Sequence, residues 1–386
     1  MAPNKSKNRK KSIVLCSIII ASLCEDEDVR TREWCKEWLQ RRKEKGSHAT
    51  ILQELRDGAY ESDFKNYMRM DPNTFYDLLV MIEPFISKQD TCMRENISPE
   101  ARLEATMLFL STGCSYTPFS TEPEYQNSLS EIIPETCQAI FAVLKDKYLK
   151  TPQTAEEWRY VAEDFRKIWN FLICIGALDG KHILIKRTYL HLMALCDANS
   201  NFLYVDVGIN GRVSDGGVWN KSTLCMHIEN GSAGLPDDIQ LPNCSKILPF
   251  VIVVDDAYPL KRHIMKPFSH RDQNLQQSIF SYWLSRARNT VENAFGRLAY
   301  RFHVFKRQID LEPKKLEQIV LACTAQHNYL HKVPVTPYLC INDKDNPMLS
   351  LERQNSTIEG TVVRNMYMKY FNEEGTVIWQ CGGISA

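Results

Sequence analysis

Three carboxylates in one half of the chain stand in settings that suit metal-assisted chemistry. They are Asp179 in Gly176-Ala-Leu-Asp-Gly-Lys-His182, Asp255 in Val251-Ile-Val-Val-Asp-Asp-Ala-Tyr-Pro259 and Glu292 in Arg288-Asn-Thr-Val-Glu-Asn-Ala-Phe-Gly296. The first two follow apolar runs that read as buried strands, and the third lies on a helical pattern. Carboxylates delivered by strand ends and by one helix can hold two divalent cations, the equipment for cutting phosphodiester bonds. A fourth acid, Asp215, lies in the turn-rich Gly208-Ile-Asn-Gly-Arg-Val-Ser-Asp-Gly-Gly-Val218.

Each acid also has a purely structural reading. Asp179 and Asp255 follow apolar runs where turn or cap residues are common, and Asp215 suits an Asx turn. Glu292 can pair with Arg288 one helical turn back on a solvated face. Asp256, beside Asp255, points the other way on a strand, so one of the two faces the site. Gly180 lets the backbone approach a ligand closely. Oxygen ligands with no matching His or Cys cluster select magnesium or manganese over zinc. His182 either orients a phosphate or the nucleophile, or makes one hydrogen bond on the sheet surface.

The elements that must position these residues fall into two patterns. From about residue 30 to 170 the period is helical, with Trp34, Trp38, Ile51, Leu52 and Leu55 at helix-like spacing. Asp71-Pro72 and Ser98-Pro99-Glu100 read as helix starts, and Gly113 as a stop. Leu129 to Leu144 is amphipathic, with Pro134 a candidate kink, and Trp158, Val161, Phe165 and Trp169 share one face of a further helix. From Phe171 short apolar runs take over: Phe171–Ile175, His182–Ile185, Leu192–Cys196, Phe202–Val207 and Ile247–Val254. They predict one mixed sheet. After Ser278 the helical period returns, through Val291, Phe295, Leu298 and Phe302 and then Leu316, Ile319, Val320 and Cys323. The expected fold is α/β: a mixed-sheet catalytic core over 171–332 behind an all-helical domain over 30–170, with 333–386 a flexible tail.

Lys plus Arg and Asp plus Glu both number 47, so a non-specific coat for nucleic acid is disfavoured and any polyanion must meet a local basic surface. Such a surface is suggested between Lys261 and Arg307, where ten basic residues face two acids, Asp272 and Glu292. Arg286, Arg288, Arg297 and Arg301 on the candidate catalytic helix read as a grip on a DNA backbone. The thirteen cysteines include no C-x-x-C pair, which points to free thiols in a reducing compartment. At the N-terminus Lys5, Lys7, Arg9, Lys10 and Lys11 precede the apolar run Ile13–Leu23. That layout fits either a signal sequence or a basic nuclear-localisation-like segment leading into a first helix, and the run is too short to span a bilayer.

Taken together, these motifs resemble PIF/Harbinger-type DDE transposases and the nucleases domesticated from them. The resemblance rests on Gly176–His182, Val207–Val218, Asp255-Asp-Ala-Tyr-Pro-Leu260, Leu284-Ser-Arg-Ala-Arg288 with Val291–Gly296, and His327-Asn-Tyr-Leu330. In the helical half it rests on Tyr67–Asp71, Met93–Ile97 and Trp158 onward to Trp169-Asn170. It covers roughly residues 30 to 332. It implies an RNase H-like core with a helix-turn-helix-like part before it, and a divalent metal, Mg2+ or Mn2+. It implies metal-binding acids at Asp179, Asp215, Asp255 and Glu292, with catalysis by Asp179, Asp255 and Glu292. It further implies DNA as substrate, a nuclear location and a Myb/SANT-like protein partner; a cytoplasmic fraction and no membrane association are further expectations. Two departures stand out. The stretch from Lys186 to His191 is shorter than in the family, which shortens a hairpin next to Asp179. No Lys or Arg occurs between Arg102 and Lys145, so that segment lacks the usual phosphate contacts. The expected activity is DNA phosphodiester hydrolysis. The rival reading is an inactive domesticated protein that binds DNA or a partner.

Overall fold

The computed structural model describes residues 61–90, 96–113, 123–185, 188–208, 214–241, 247–269, 273–309, 311–332 and 356–376. Those in 55–87 and 97–386 form one compact unit. Residues 88–96 belong with the first 54 to another, in which the Asn96 amide N–H donates to Asp90 at 2.7 Å. The readings placed on 1–29, Trp34, Trp38 and Ile51–Leu55 lie outside the described residues. Among the described residues no helix is long and apolar enough to cross a membrane.

Among the described residues five helices precede the sheet: α1 Glu61–Met68, α2 Pro72–Ile86, α3 Pro99–Thr112, α4 Pro123–Tyr148 and α5 Ala155–Trp169. Their ends follow local chemistry. Asp71 and Ser98 accept the amide N–H groups of Thr74 and Ala101, each with Pro in the first turn, and α5 opens with a Thr154–Glu157 capping box. Gly113 ends α3 in the left-handed region at φ 62°, with the His303 carbonyl where a Cβ would stand. Pro134 sits inside α4 without dividing it. The described helices share their compact unit with the sheet, and α4 packs along the helix Pro313–Lys332 of the expected catalytic core.

The sheet has the order β3-β2-β1-β6-β7. β1 (Cys174–Ile185) is central. It pairs antiparallel with β2 (Thr188–Cys196), which pairs antiparallel with β3 (Phe202–Gly208). On its other side β1 runs parallel to β6 (Val251–Val253), which is parallel to β7 (Ile264–Met265). Between β3 and β6 come short helices α6 (Asp215–Trp219) and α7 (Thr223–Glu229) and a small hairpin, β4 (Ile239–Gln240) with β5 (Ile247–Leu248). The expectation of two short strands around Gly176 and Gly180 is corrected to one twelve-residue strand. Both glycines stay within the ladder, and Asp179 lies mid-strand instead of at a strand end. The shortened stretch after Lys186 still closes, because β1 and β2 pair in register from Ile185–Thr188 to Ala177–Cys196.

α8 (Leu275–Arg301) crosses the sheet over β1 and β2 after an Asn274–Gln277 capping box. α9 (Pro313–Lys332) packs on α4 and β3. Its Asn328 amide donates to the carbonyls of Tyr148 and Phe202 and accepts the Phe202 N–H at 2.9 Å, tying α4, α9 and β3 together. The His327–Leu330 motif is therefore a structural clamp. The region read as a flexible tail contains α10 (Ile358–Asn372), whose Val363, Tyr367, Tyr370 and Phe371 are buried. Phe371 stacks on Trp283 of α8 at 5.7 Å and meets Phe171 at 5.0 Å. The 4, 7, 8 spacing is a helical stripe whose apolar face needed a partner on α8 before it was evident.

Candidate functional site

Strand alternation sends Asp179 and Lys181 of β1 to the face covered by α8. Lys181 reaches the ring of Phe295, and the Asp179 carboxylate lies 3.5 Å from Arg288. β6 runs parallel to β1 with Ala177 level with Val253. Two residues further on stand Asp179, still within β1, and Asp255, just past the end of β6, so the pairing that builds the sheet brings two acids from distant positions close enough to perturb one another. Asp255 is half-buried and Asp256 exposed, both in the loop that follows β6, so the expected strand alternation does not decide between them. The loop after β6 is held by the Ala257 N–H donating to Asp255 at 3.0 Å. The start of α6 lies against this loop: a Cβ on Gly216 would stand 3.0 Å from the Ala257 carbonyl oxygen. That approach sets Asp215 beside Asp255. Asp215 is a first-turn helix residue behind the N-cap Ser214, where a loop position was expected.

The acids perturb one another. Burial, then the charge of Asp255, pushes the Asp179 carboxyl up to about 7, against the opposing influence of Arg288 and the Gly180 N–H. Burial, then Asp215, pushes Asp255 up to about 6, with Arg288 and the Ala257 N–H opposing. Carboxyls raised first by burial and then by neighbouring acids are characteristic of functional sites. Tyr258 is fully buried beside them. Burial first, then Asp179, Asp215 and Asp255, raises its hydroxyl well above the ordinary range, and that hydroxyl has no hydrogen-bond partner. Sequence reasoning passed over Tyr258. Its signal was the position three residues after Asp255, at the turn that closes the β6 end.

Glu292 is 46% exposed and pairs with Arg288 one turn earlier. The alternative reading of that pair is thus realised, with an addition. The same guanidinium also reaches Asp179, so Arg288 bridges the strand acid and the helix acid. The donor set of Asp179, Asp255 and Glu292 is all oxygen. That is the chemistry a hard divalent cation prefers, and the orphaned Tyr258 hydroxyl suits it, but the three carboxylates are not gathered with ligand oxygens all within 4.8 Å of one another.

The basic surplus is less bare than its composition implied. Lys261 pairs with Glu229, Arg262 with Asp238 and Glu359, and Arg297 meets the His331 ring at 2.9 Å. Arg286 lies over the rings of Trp283 and Tyr282. At about 100° per residue, Arg286, Arg297 and Arg301 fall within about 60° of one another on α8, while Arg288 lies about 200° away, on the side of Glu292. The four arginines therefore present two faces. Arg271 lies outside the described residues.

The expectation of no histidine cluster is overturned. His182 and His191 are directly paired across β1 and β2, and His191 Nε2 lies 2.7 Å from Asp215. Among the described residues, His182, His191 and Asp215 form the one group of three whose potential ligand atoms all lie within 4.8 Å of one another. Sequence reading missed His191, because its relation to His182 exists only once β1 pairs with β2.

Comparison with known proteins agrees with this architecture. Residues 185–328 match the family described as DDE superfamily endonuclease, a span that includes Asp215, Asp255 and Glu292 and begins just after Asp179. The chain is 23% identical over 200 residues to "Protein ALP1-like" of Arabidopsis thaliana, covering 47% of this chain and 48% of that protein. It is 21% identical over 285 residues to "Putative nuclease HARBI1" of Xenopus laevis, covering 67% and 75% respectively. The match thus spans about half the length of the first relative. No solved structure matches the chain.

Proposed function

We propose that this chain, which belongs to the Harbinger transposase-derived DDE nuclease family, is a divalent-metal-dependent endonuclease acting on DNA phosphodiester bonds. The observation that carries the reading is the placement of Asp179 on β1 beside Asp255, two residues past the end of the parallel strand β6, with Arg288 linking Asp179 to Glu292 on the helix above. In this reading Asp179, Asp255 and Glu292 would hold the divalent cations, Mg2+ or Mn2+, with Asp215 as an outer acid. Divalent ions bound there supply Lewis acidity and a water of lowered pKa.

The chain's own residues do the rest. Arg288 balances Asp179 and Glu292 in the cation-free protein and is positioned to take a DNA phosphate once those acids are neutralised otherwise. Tyr258 offers a buried hydroxyl donor to the same acids or to their bound water. Arg286, Arg297 and Arg301 grip the backbone along the other side of α8. Arg102 is committed to Glu135 at 2.9 Å, so the helices of residues 103–144 rely on α8, or on a Myb/SANT-like partner, for contact with DNA. A nuclear location follows from that substrate.

The test is nicking of supercoiled plasmid with Mg2+ or Mn2+. The parent protein nicks; Asp179→Asn and Glu292→Gln do not, while keeping the parent's circular dichroism. Variants that nick as fast as the parent would sink the assignment. A second reading is favoured by Arg288 occupying the space between Asp179 and Glu292: an inactive protein that binds DNA with a permanently ion-paired site. It predicts neither nicking nor thermal stabilisation by Mg2+.

A further inference from the structure

His182 and His191 face each other across the β1–β2 hairpin, and directly opposed residues of an antiparallel pair present their side chains on one face within reach of each other. Their rings meet edge to face, 5.1 Å between centroids. Asp215 arrives from the start of α6 and sets its carboxylate 2.7 Å from His191 Nε2. Gly180 makes the space: a Cβ there would stand 2.6 Å from His191 Nε2 and 2.8 Å from the Asp215 carboxylate. By strand alternation Gly180 and His182 lie on the face opposite Asp179 and Lys181. The two histidines are therefore on the other side of β1 from the Asp179–Arg288–Glu292 contacts.

Access and chemistry both suit a ligand. His191 is 1% exposed and its Nδ1 has no hydrogen-bond partner, so the Asp215 contact leaves the ring half satisfied. His182 is exposed and opens the group to solvent. One ring nitrogen from each histidine and one Asp215 oxygen already lie within 4.8 Å of one another, so small rotations bring them to a common centre. Imidazole nitrogen suits zinc, cobalt or nickel, whereas magnesium prefers an all-oxygen shell.

We propose that His182, His191 and Asp215 form a binding site for one imidazole-preferring divalent transition-metal ion, separate from the carboxylate pair of Asp179 and Asp255. Three protein ligands leave a coordination position for water. The ion joins the hairpin to the start of α6 and so fixes the acid that stands beside Asp255. The site shares Asp215, the outer acid of the nuclease reading, but its two histidines have no part in that reading, so the two can be tested separately.

The experiment titrates Co2+ into the full-length protein held in excess Mg2+, which occupies all-oxygen sites. It follows visible cobalt absorption and the hyperfine-shifted ring N–H resonances of cobalt-bound histidine. The expected result is one equivalent bound with histidine resonances, in the parent and in Asp179→Asn alike. His182→Gln, at an exposed position that leaves the fold intact, loses those resonances. Loss of an outer-shell partner alone costs about 10–100-fold in metal affinity, so loss of this ligand should weaken binding at least that much. The described cysteines are buried, and thiol ligands give no ring N–H signal. Equal cobalt affinity in the parent and His182→Gln, or no histidine resonances in the parent, overturns the proposal. A parent that binds cobalt this way yet never nicks DNA leaves it standing and removes only the nuclease reading.

Discussion

Replacing Asp179 with Asn should stabilise the cation-free protein at alkaline pH while abolishing its response to Mg2+. The Asp179 side chain is 16% exposed, and burial followed by repulsion from Asp255 lifts its carboxyl from 3.8 to about 7. That is a rise of about 3 units, or about 4 kcal/mol at about 1.36 kcal/mol per unit. The native state keeps a proton that the unfolded chain releases between about pH 4 and 7. It therefore binds more protons across that window, and stability falls as pH rises through it and stays low above. Asn has the same shape, carries no charge and still accepts the Gly180 N–H that Asp179 accepts at 2.8 Å. Arg288 loses a contact at 3.5 Å but keeps Glu292. Because Asp179 and Asp255 share their repulsion, the shifts are not summed, and a gain of about 1–4 kcal/mol at pH 8 is expected. Urea unfolding in EDTA at pH 4, 6 and 8 measures it, with the difference vanishing toward pH 4. A variant less stable than the parent at pH 8, or a difference that ignores pH, refutes the electrostatic account of this site.

Arg288→Gln removes the guanidinium that opposes the rise of both Asp179 and Asp255, so both carboxyls move further up. The stabilisation that Mg2+ gives in thermal unfolding should then begin at higher pH than in the parent. Gly180→Ala drives a methyl group into His191 and Asp215, and overpacking of this kind costs about 1–3 kcal/mol by urea unfolding. Phe371→Ala removes a ring packed on Trp283 and Phe171 and should cost about 3–5 kcal/mol. A loss under about 1 kcal/mol would mean that α10 is not part of the folded core.

Much of the architecture was legible along the chain because it is written in local terms. Asp71-Pro72, Ser98-Pro99 and Thr154 begin helices through bonds to amides three residues on, and the apolar period over 275–302 belongs to one helix face. The acids were legible too, since each stands in a distinctive short motif. Their relation was not. The parallel pairing of β1 with β6 brings Asp179 near Asp255 just past the strand end, and one guanidinium joins residue 179 to residue 292.

Residue types and their near neighbours thus decided which side chains could act as ligands. Pairing between distant segments decided which of them share a site. The glycines at 176 and 180 read as breaks because their cost in a strand is local, whereas the ladder that absorbs them comes from β2 and β6. His191 had no meaning until the hairpin set it opposite His182. The stripe on α10 had none until Trp283 and Phe171 supplied its partner. Side-chain spacing is a property of the chain, but the distance between two faces is set by hydrogen-bond register and packing, which exist only once the chain has folded.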